Sequence, residues 1–300
     1  MTELRDLLAR TAELIADFRQ TAPQRAVLPN VDLDPVRMAL GELPSASTPA
    51  DVVVRELASA IDPLLVSSAG PRYFGFVVGG AVDAATAADM LAVGWDQVAF
   101  NAVSSPAAAV VEEVAGAWLQ DLLGIPSSAS FGFVTGCQAA NTVALAAARH
   151  QVLAGVGHDV EQDGLIGAPP VRVVATCERH ATIDRALRLL GLGASVLEPV
   201  ATDVNGAIVG DELARVLAAQ PAGPTIVCLQ AGNVNSGAFV ERWHQRGADG
   251  DRAHQTRPWQ ARTRRLDLVG ADDADRQDRA VDACRQARRA GVATVQATIS

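Results

Sequence analysis

Between residues 130 and 230 the chain alternates short apolar runs with amphipathic segments. The runs VRVVAT (171–176) and PTIVCLQ (224–230) are rich in β-branched residues and mostly apolar, as buried strands are. Segments with apolar residues at helical spacing lie between or after them, such as HATIDRALRLLG (180–191) and GDELARVLAAQ (210–220). Strands that alternate with helices predict an α/β fold, in which a mainly parallel sheet is sandwiched between helices.

The alternation begins with the stretch SFGFVTGCQAANTVALAAARH, residues 130–150. It predicts a strand at Phe131–Val134 and a helix at Gln138–Leu153, joined by a tight turn. The turn residues are Thr135, Gly136, Cys137 and Gln138. Because the first N–H groups of a helix lack partners within it and lie at the positive end of its dipole, such a turn binds anions, most often phosphate. The sequence contains neither a dinucleotide fingerprint nor a P-loop, so an ordinary strand-to-helix turn is the alternative.

Polar residues also follow the two buried strands. His180 comes soon after the strand that ends at Thr176, where an imidazole can stack on a planar ring or move a proton. Asn235 lies in the loop GNVNSG (232–237), after the second strand. The carboxyl ends of parallel strands form the edge at which α/β proteins bind ligands. The alternatives are a histidine that only starts a helix and a plain turn of Asn and Gly.

The chain before residue 130 is predicted to be mainly helical. Its first 20 residues carry apolar side chains at helical spacing with charges between them, which indicates an amphipathic helix and not a signal peptide. Residues 21–47 are rich in proline and predicted to be irregular, and Ser105 is predicted to cap a helix that begins at Pro106. We expect a helical N-terminal segment over residues 1–48 and an α/β domain over residues 49–240.

Charge and composition exclude several classes of partner. The net charge of −9 disfavours nucleic acid and anionic membranes as partners. No apolar run is long enough to span a bilayer, so we expect a cytoplasmic protein. The cysteines form no CxxC pair and predict no metal site. They are Cys137, Cys177, Cys228 and Cys284.

Lysine is absent from the chain. All 25 basic residues are arginines, so no side chain can form a Schiff base. The tail at residues 241–300 holds 12 of these arginines and 9 acidic residues, a net charge of +3, and has few aliphatic runs. Only AVDACRQARRAG (280–291) and VATVQATIS (292–300) predict a helix and a strand there.

In order and spacing, several segments resemble the group II pyridoxal-phosphate-dependent decarboxylases, the relatives of aromatic-amino-acid and glutamate decarboxylases. The segments span about residues 50–240 and are PRYFGFVVGG, WDQ, SSPAAAVVEEVAGAWLQDLLG, GFVTGCQAANTVALAAARH, CERHATIDRALRLLGLG and GPTIVCLQAGNVNSGAF. The resemblance implies the large domain of a fold-type I enzyme with the aspartate aminotransferase fold, here incomplete. It also implies pyridoxal 5'-phosphate as cofactor, an amino acid as substrate and a homodimer.

The resemblance gives each candidate residue a role. The turn Thr135–Gln138 matches the one that binds the cofactor phosphate, with backbone contacts expected more firmly than side-chain contacts. His180 matches the histidine that stacks on the pyridine ring, and Asn235 is expected near the cofactor. Tyr73 and Phe74 match a segment that lines the substrate entrance, often from the other subunit.

Two parts of the family's active site have no counterpart in this sequence. The family has a strand that ends in His-Val-Asp, whose aspartate pairs with the pyridinium nitrogen, and a later His-Lys segment whose lysine holds the cofactor. The departure begins just after Phe239. We interpret residues 241–300 as an out-of-frame translation or the end of a decayed gene, with a genuine divergent tail as the alternative. Without the family's last strands, the strand at Thr225–Leu229 is expected to lack a neighbour and to lower solubility.

The function predicted by resemblance is that of a pyridoxal-phosphate-dependent carboxy-lyase acting on an amino acid. Because the chain has no lysine, we expect it to be inactive as it stands. One alternative is a non-catalytic truncated pseudoenzyme or dimerising remnant. A weaker alternative is an aminotransferase-type reaction on the same fold.

Overall fold

The computed structural model describes residues 2–29, 32–76, 78–123, 125–219, 223–230, 232–238 and 293–297. The chain divides into two compact units, Met1–Gln97 and Val98–Ile299. The boundaries expected from the sequence at residues 48 and 240 stay predictions.

The described part of the first unit is helical. Its α-helices are α1 (Thr2–Thr21), α2 (Asp34–Leu40), α3 (Ala50–Ile61) and α4 (Asp83–Trp95), and a 3₁₀ turn at Asp62–Leu64 extends α3. The amphipathic helix expected at the N-terminus is confirmed. The guanidinium of Arg25, just after α1, donates to both carboxylate oxygens of Asp62 at 2.8 and 3.0 Å, which ties the ends of α1 and α3 together.

The segment expected to be irregular, residues 21–47, contains helix α2, so that expectation is wrong for Asp34–Leu40. The Asp32 carboxylate accepts a hydrogen bond from the backbone N–H of Asp34 at 3.1 Å, which satisfies one free donor of the first turn. Pro35 lies in that turn, where proline is compatible with a helix because its missing N–H is not needed.

The described part of the second unit combines α-helices with a parallel sheet. The helices are α5 (Pro106–Leu123), α6 (Cys137–Ala154), α7 (Val160–Asp163), α8 (Ala181–Leu189) and α9 (Gly210–Ala218). The strands are β1 (Arg172–Thr176), β2 (Leu197–Val200), β3 (Thr225–Gln230) and β4 (Ala293–Ala297). Their order across the sheet is β2-β1-β3-β4, and each neighbouring pair is parallel. The predicted α/β fold is therefore confirmed, and so is the cap of α5, because Ser105 Oγ accepts a hydrogen bond from the N–H of Ala108 at 3.3 Å.

Alternate residues of the central strands supply two cores. Val173 and Ile226 are fully buried on one face, where α6 contributes Leu145 and α8 contributes Leu187. The neighbouring strand residues, such as Val227, face the opposite side and pack with α9. This alternation places helices on both faces of the sheet.

Two sequence-based expectations about strands are wrong. Phe131–Val134 forms no strand, because a strand needs a partner and no described strand lies beside this segment; Glu112 Oε1 instead accepts from the N–H of Phe133 at 3.2 Å. The strand at Thr225–Leu229 does not lack a neighbour, because β4 from the tail pairs with it in parallel, with Ile226 opposite Ala293. The strand predicted at residues 292–300 is thus confirmed over 293–297, whereas the helix predicted before it lies outside the described residues.

Within the described parts of the chain, none of the helices is both long enough and apolar enough to cross a membrane.

Candidate functional site

The turn before α6 has a glycine at the helix start with open space beside it. Gly136 is the residue before the first turn of α6 and adopts φ 90° and ψ 168°, a backbone region that essentially only glycine occupies. Gly136 itself has no side chain with which to cap this helix, and a Cβ placed on Gly136 would meet no described atom within 4 Å. Thr135 and Gly136 are exposed, while Cys137 and Gln138 are half-buried. The turn therefore offers backbone donors beside open space, as an anion site requires.

Side chains of α6 hold this turn against the start of α8. Gln138 Nε2 donates to the backbone oxygen of Thr182 at 3.3 Å, and Asn141 Nδ2 donates to Thr182 Oγ1 at 2.8 Å. His180 is the N-cap of α8, and its Nδ1 accepts from the N–H of Thr182 at 3.2 Å. These contacts place the turn and His180 at the same edge of the sheet, the edge at which β1 ends.

The loop after β3 is organised around Asn233. Its side-chain Oδ1 accepts hydrogen bonds from the N–H groups of Asn235 at 2.9 Å and Ser236 at 3.3 Å, and its Nδ2 donates to Glu178 Oε2 at 3.4 Å. Gly206, in the loop after β2, approaches so closely that a Cβ there would lie 2.3 Å from Asn233 Nδ2. Asn233 is buried and Asn235 is exposed, so Asn233 holds the loop and Asn235 is presented by it.

Three buried polar atoms near this edge have no hydrogen-bond partner among the described residues. They are Gln138 Oε1, Thr176 Oγ1 and Gln230 Oε1. Thr176 and Gln230 are the last residues of the adjacent strands β1 and β3. An unpaired buried polar group costs about 1–3 kcal/mol, so these atoms favour a polar ligand or water at the edge.

Arg179 and Cys228, near this edge of the sheet, are poor candidates for binding an anion and for nucleophilic attack, respectively. The Arg179 guanidinium is bound to Asp184 at 2.8 Å, so its charge is already paired. Burial raises the pKa of the Cys228 thiol to about 12, against the opposing field of Arg179, which leaves it protonated and not nucleophilic at neutral pH. Among the described residues at this edge, the backbone N–H groups at the start of α6 are therefore the candidate donors for an anion.

The structure brings together some of the residues expected from the sequence. Residues 135–138 lie beside the start of α8, which His180 caps, and Asn235 lies in a loop bound to Glu178, two residues before His180. Tyr73 and Phe74 lie in the first unit, where Phe74 is 92% exposed, and their role at a substrate entrance stays a prediction.

Sequence reasoning missed the residues that hold the site together. Asn141 and Thr182 are buried and bonded to each other, and Asn233 is buried under its own loop. A signal for Asn141 was available, because an amide within an alanine-rich helix indicates a specific partner when it is buried. Thr182, two residues after His180 at a helix start, also matches the pattern of local capping.

Comparison with known proteins places these features in a family. The pyridoxal-dependent decarboxylase conserved domain matches residues 36–244. Tryptophan decarboxylase 1 of Oryza sativa subsp. japonica is 30% identical over 254 residues, which cover 79% of this chain and 48% of that protein. An aromatic-L-amino-acid decarboxylase of Bacillus atrophaeus is 26% identical over 240 residues, with coverage of 79% and 48%.

Solved structures agree with the sequence relatives. The crystal structure of Oryza sativa TDC with PLP and tryptamine matches with a TM-score of 0.70 and 28% identity, over 79% of this chain and 50% of that one. Mouse CSAD shares the fold with a TM-score of 0.69 at 21% identity, over 79% of this chain and 50% of that one. The chain spans about half the length of the curated relatives it matches. Because the conserved domain matches most of the chain and contains the turn, His180 and Asn235, this protein belongs to the pyridoxal-dependent decarboxylase family.

Proposed function

We propose that this chain binds pyridoxal 5'-phosphate at the carboxyl edge of its sheet and derives from an amino-acid decarboxylase. The observation that carries the proposal is the open glycine turn at the start of α6, fixed beside the start of α8 by the Gln138–Thr182 and Asn141–Thr182 hydrogen bonds. Backbone donors at a helix start suit a phosphate, and an exposed imidazole next to them suits a planar ring.

The residues present fit the phosphate and ring of this cofactor. The turn Thr135–Gln138 would hold the phosphate, His180 would stack on the ring and Asn235 would lie beside it. Thr176 Oγ1 and Gln230 Oε1 are buried and have no hydrogen-bond partner within the described structure. The hydroxyl can donate to or accept from a polar group of a bound ring, and the amide oxygen can accept from one. When bound in a decarboxylase, the cofactor withdraws electrons from the α-carbon of an amino acid as its carboxylate leaves.

The aldehyde of the cofactor does not fit this chain. No lysine exists in the 300 residues, so no side chain can hold the cofactor covalently. We therefore propose that the chain by itself binds the cofactor without catalysing decarboxylation, which is the behaviour of a pseudoenzyme. An aminotransferase-type reaction is a weaker proposal, since it needs the same covalent chemistry.

The test compares pyridoxal phosphate with pyridoxal, which lacks the phosphate. We expect the phosphorylated compound to bind at least tenfold more tightly by calorimetry, because the α6 start recognises the phosphate. Borohydride treatment should give no side-chain adduct, and labelled amino acids should release no carbon dioxide. Equal binding of the two compounds would refute the phosphate site, and carbon dioxide release that depends on pyridoxal phosphate would refute the proposed inactivity.

We also propose a homodimer in the cytoplasm, with an amino acid as the ligand class and no binding of nucleic acid. Helix α5 supports a partner surface, because Val111 and Trp118 are each 67% exposed and other large apolar side chains of this helix are also exposed. Sedimentation at several concentrations tests the dimer. A monomer at all concentrations would contradict it.

A further inference from the structure

A buried hydrogen-bond chain lies behind the imidazole of His180. Asn141 Nδ2 lies 2.8 Å from Thr182 Oγ1, which in turn lies 2.9 Å from His180 Nδ1. The backbone N–H of Thr182 points at the same Nδ1 at 3.2 Å. Asn141 and Thr182 are only 7% and 6% exposed, whereas the imidazole is exposed. Two buried residues thus act on one nitrogen of an exposed ring.

The chemistry of these groups allows one direction for every hydrogen bond in the chain. A backbone N–H can only donate, so His180 Nδ1 must present its lone pair to Thr182. Thr182 Oγ1 lies within hydrogen-bond distance of that lone pair and must donate its own proton to it. The same oxygen is then an acceptor toward α6, so Asn141 must present its amino group. The remaining proton of the neutral imidazole therefore resides on Nε2.

We propose that Thr182 and Asn141 are positioning residues that fix His180 as the Nε2–H tautomer. Because Nδ1 accepts hydrogen bonds from Thr182, the other ring nitrogen, Nε2, carries the proton and is a hydrogen-bond donor and not an acceptor. The opposite tautomer would place two hydrogens between Nδ1 and the backbone nitrogen of Thr182, and α8 would lose the side-chain cap that His180 provides. The ring is therefore fixed in both its protonation and its orientation before any ligand arrives.

The same contacts couple the tautomer to the turn before α6. Gln138 and Asn141 are three residues apart on α6 and so share one face of this helix, and both donate to Thr182. Thr182 receives the first through its backbone oxygen and the second through its hydroxyl. Thr182 of α8 therefore sets the distance between the turn Thr135–Gln138 and the imidazole of His180.

This inference rests on the proposed function only in naming the ligand that would meet the ring of His180. The tautomer itself is measured without the cofactor, so the two proposals can fail separately. Long-range ¹H–¹⁵N spectra of histidine-labelled full chain, recorded at about pH 9 where histidine is neutral, distinguish the two tautomers. The His180→Gln variant identifies the signal among the 5 histidines. We expect the Nε2–H form to dominate in the wild-type chain. A proton on Nδ1, or an equal mixture, would overturn the proposal whatever the chain binds.

Two variants separate positioning from a merely structural role. Thr182→Val keeps the shape and the backbone N–H but removes the hydroxyl, and we expect the ratio of Nε2–H to Nδ1–H to fall about fivefold to tenfold. Thr182→Ser keeps the hydroxyl and should keep the wild-type ratio, even if the chain becomes less stable. An unchanged ratio in Thr182→Val would show that the threonine only packs. If that variant does not fold, Asn141→Leu replaces it, because this change removes the amide that donates to the Thr182 hydroxyl. We expect the tautomer ratio to shift in the same direction, and an unchanged ratio would overturn the role of these hydrogen bonds.

Discussion

Replacing Gly136 with alanine tests whether the turn before α6 is built on a backbone that only glycine tolerates. At φ 90° and ψ 168° any Cβ is strained, which costs about 1–3 kcal/mol. Alanine also restricts the unfolded chain, which stabilises the folded state by about 0.4–1 kcal/mol. Since no described atom lies within 4 Å of the new Cβ, no clash adds to the strain. We expect a net loss of about 1–2 kcal/mol.

Gly132 provides a matched control four residues earlier. Its φ lies outside the left-handed region, and a Cβ there would also meet nothing within 4 Å. Gly132→Ala therefore changes the same atoms without the strain, and we expect it to be neutral or to stabilise by up to about 1 kcal/mol. Urea unfolding followed by far-ultraviolet circular dichroism measures both variants against the wild type.

Binding gives a second measurement from the same pair of variants. The new methyl group at Gly136 projects into the open space in front of the α6 start, where we place the phosphate. We expect the affinity for pyridoxal phosphate to fall at least tenfold in Gly136→Ala and to stay unchanged in Gly132→Ala. Equal unfolding midpoints for the two variants would refute the backbone argument, and equal affinities would refute the position of the phosphate.

Three further outcomes test the sheet and its surroundings. Leu187→Ala should destabilise the protein by about 2–5 kcal/mol, because this side chain is fully buried, whereas Leu189→Ala on the same helix, 72% exposed, should change the unfolding free energy by less than about 0.5 kcal/mol. Mass spectrometry after iodoacetamide treatment at pH 8 should find Cys177 alkylated and Cys228 unmodified until the chain unfolds, since one thiol is exposed and burial raises the pKa of the other to about 12. A hydrogen bond from Arg172 lowers the pKa of the Glu198 carboxyl. This ion pair therefore contributes fully to stability above the unfolded pKa of about 4.3, and the contribution is lost as the pH falls. Glu198→Gln should flatten the acid side of a plot of melting temperature against pH, and an unchanged plot would refute this.

The parallel sheet could be predicted from the sequence because its central strands are buried on both faces. Strands β1 and β3 are buried over nearly their whole length, and polar residues follow each of them, so the sequence also indicated which edge of the sheet carries polar groups. Helix α6 extends one residue beyond each end of its predicted range, with Gly136 at its start. These features depend on local residue types and on burial patterns that repeat along the chain.

Other features depend on partners that the sequence does not indicate. Phe131–Val134 carries the pattern of a strand but has no described strand beside it, and an apolar run cannot pair alone. The hydrogen bond between Asn141 and Thr182 joins residues 41 positions apart, and no local pattern specifies which amide meets which hydroxyl. The pairing of β4 with β3 likewise follows from tertiary packing, because periodicity predicts a strand and not its neighbour.

The pairing between β3 and β4 has a consequence for how much sequence a fold needs. A sheet edge is recognised by its row of backbone N–H and C=O groups, which are the same for every residue except proline. Residues 293–297 come from a tail whose composition differs from that of the α/β region, yet they occupy that edge over five positions. Such backbone pairing requires only a segment that can adopt an extended conformation and reach the edge of the sheet. Backbone pairing at this position therefore constrains the sequence of β4 less than burial on both faces constrains the inner strands β1 and β3.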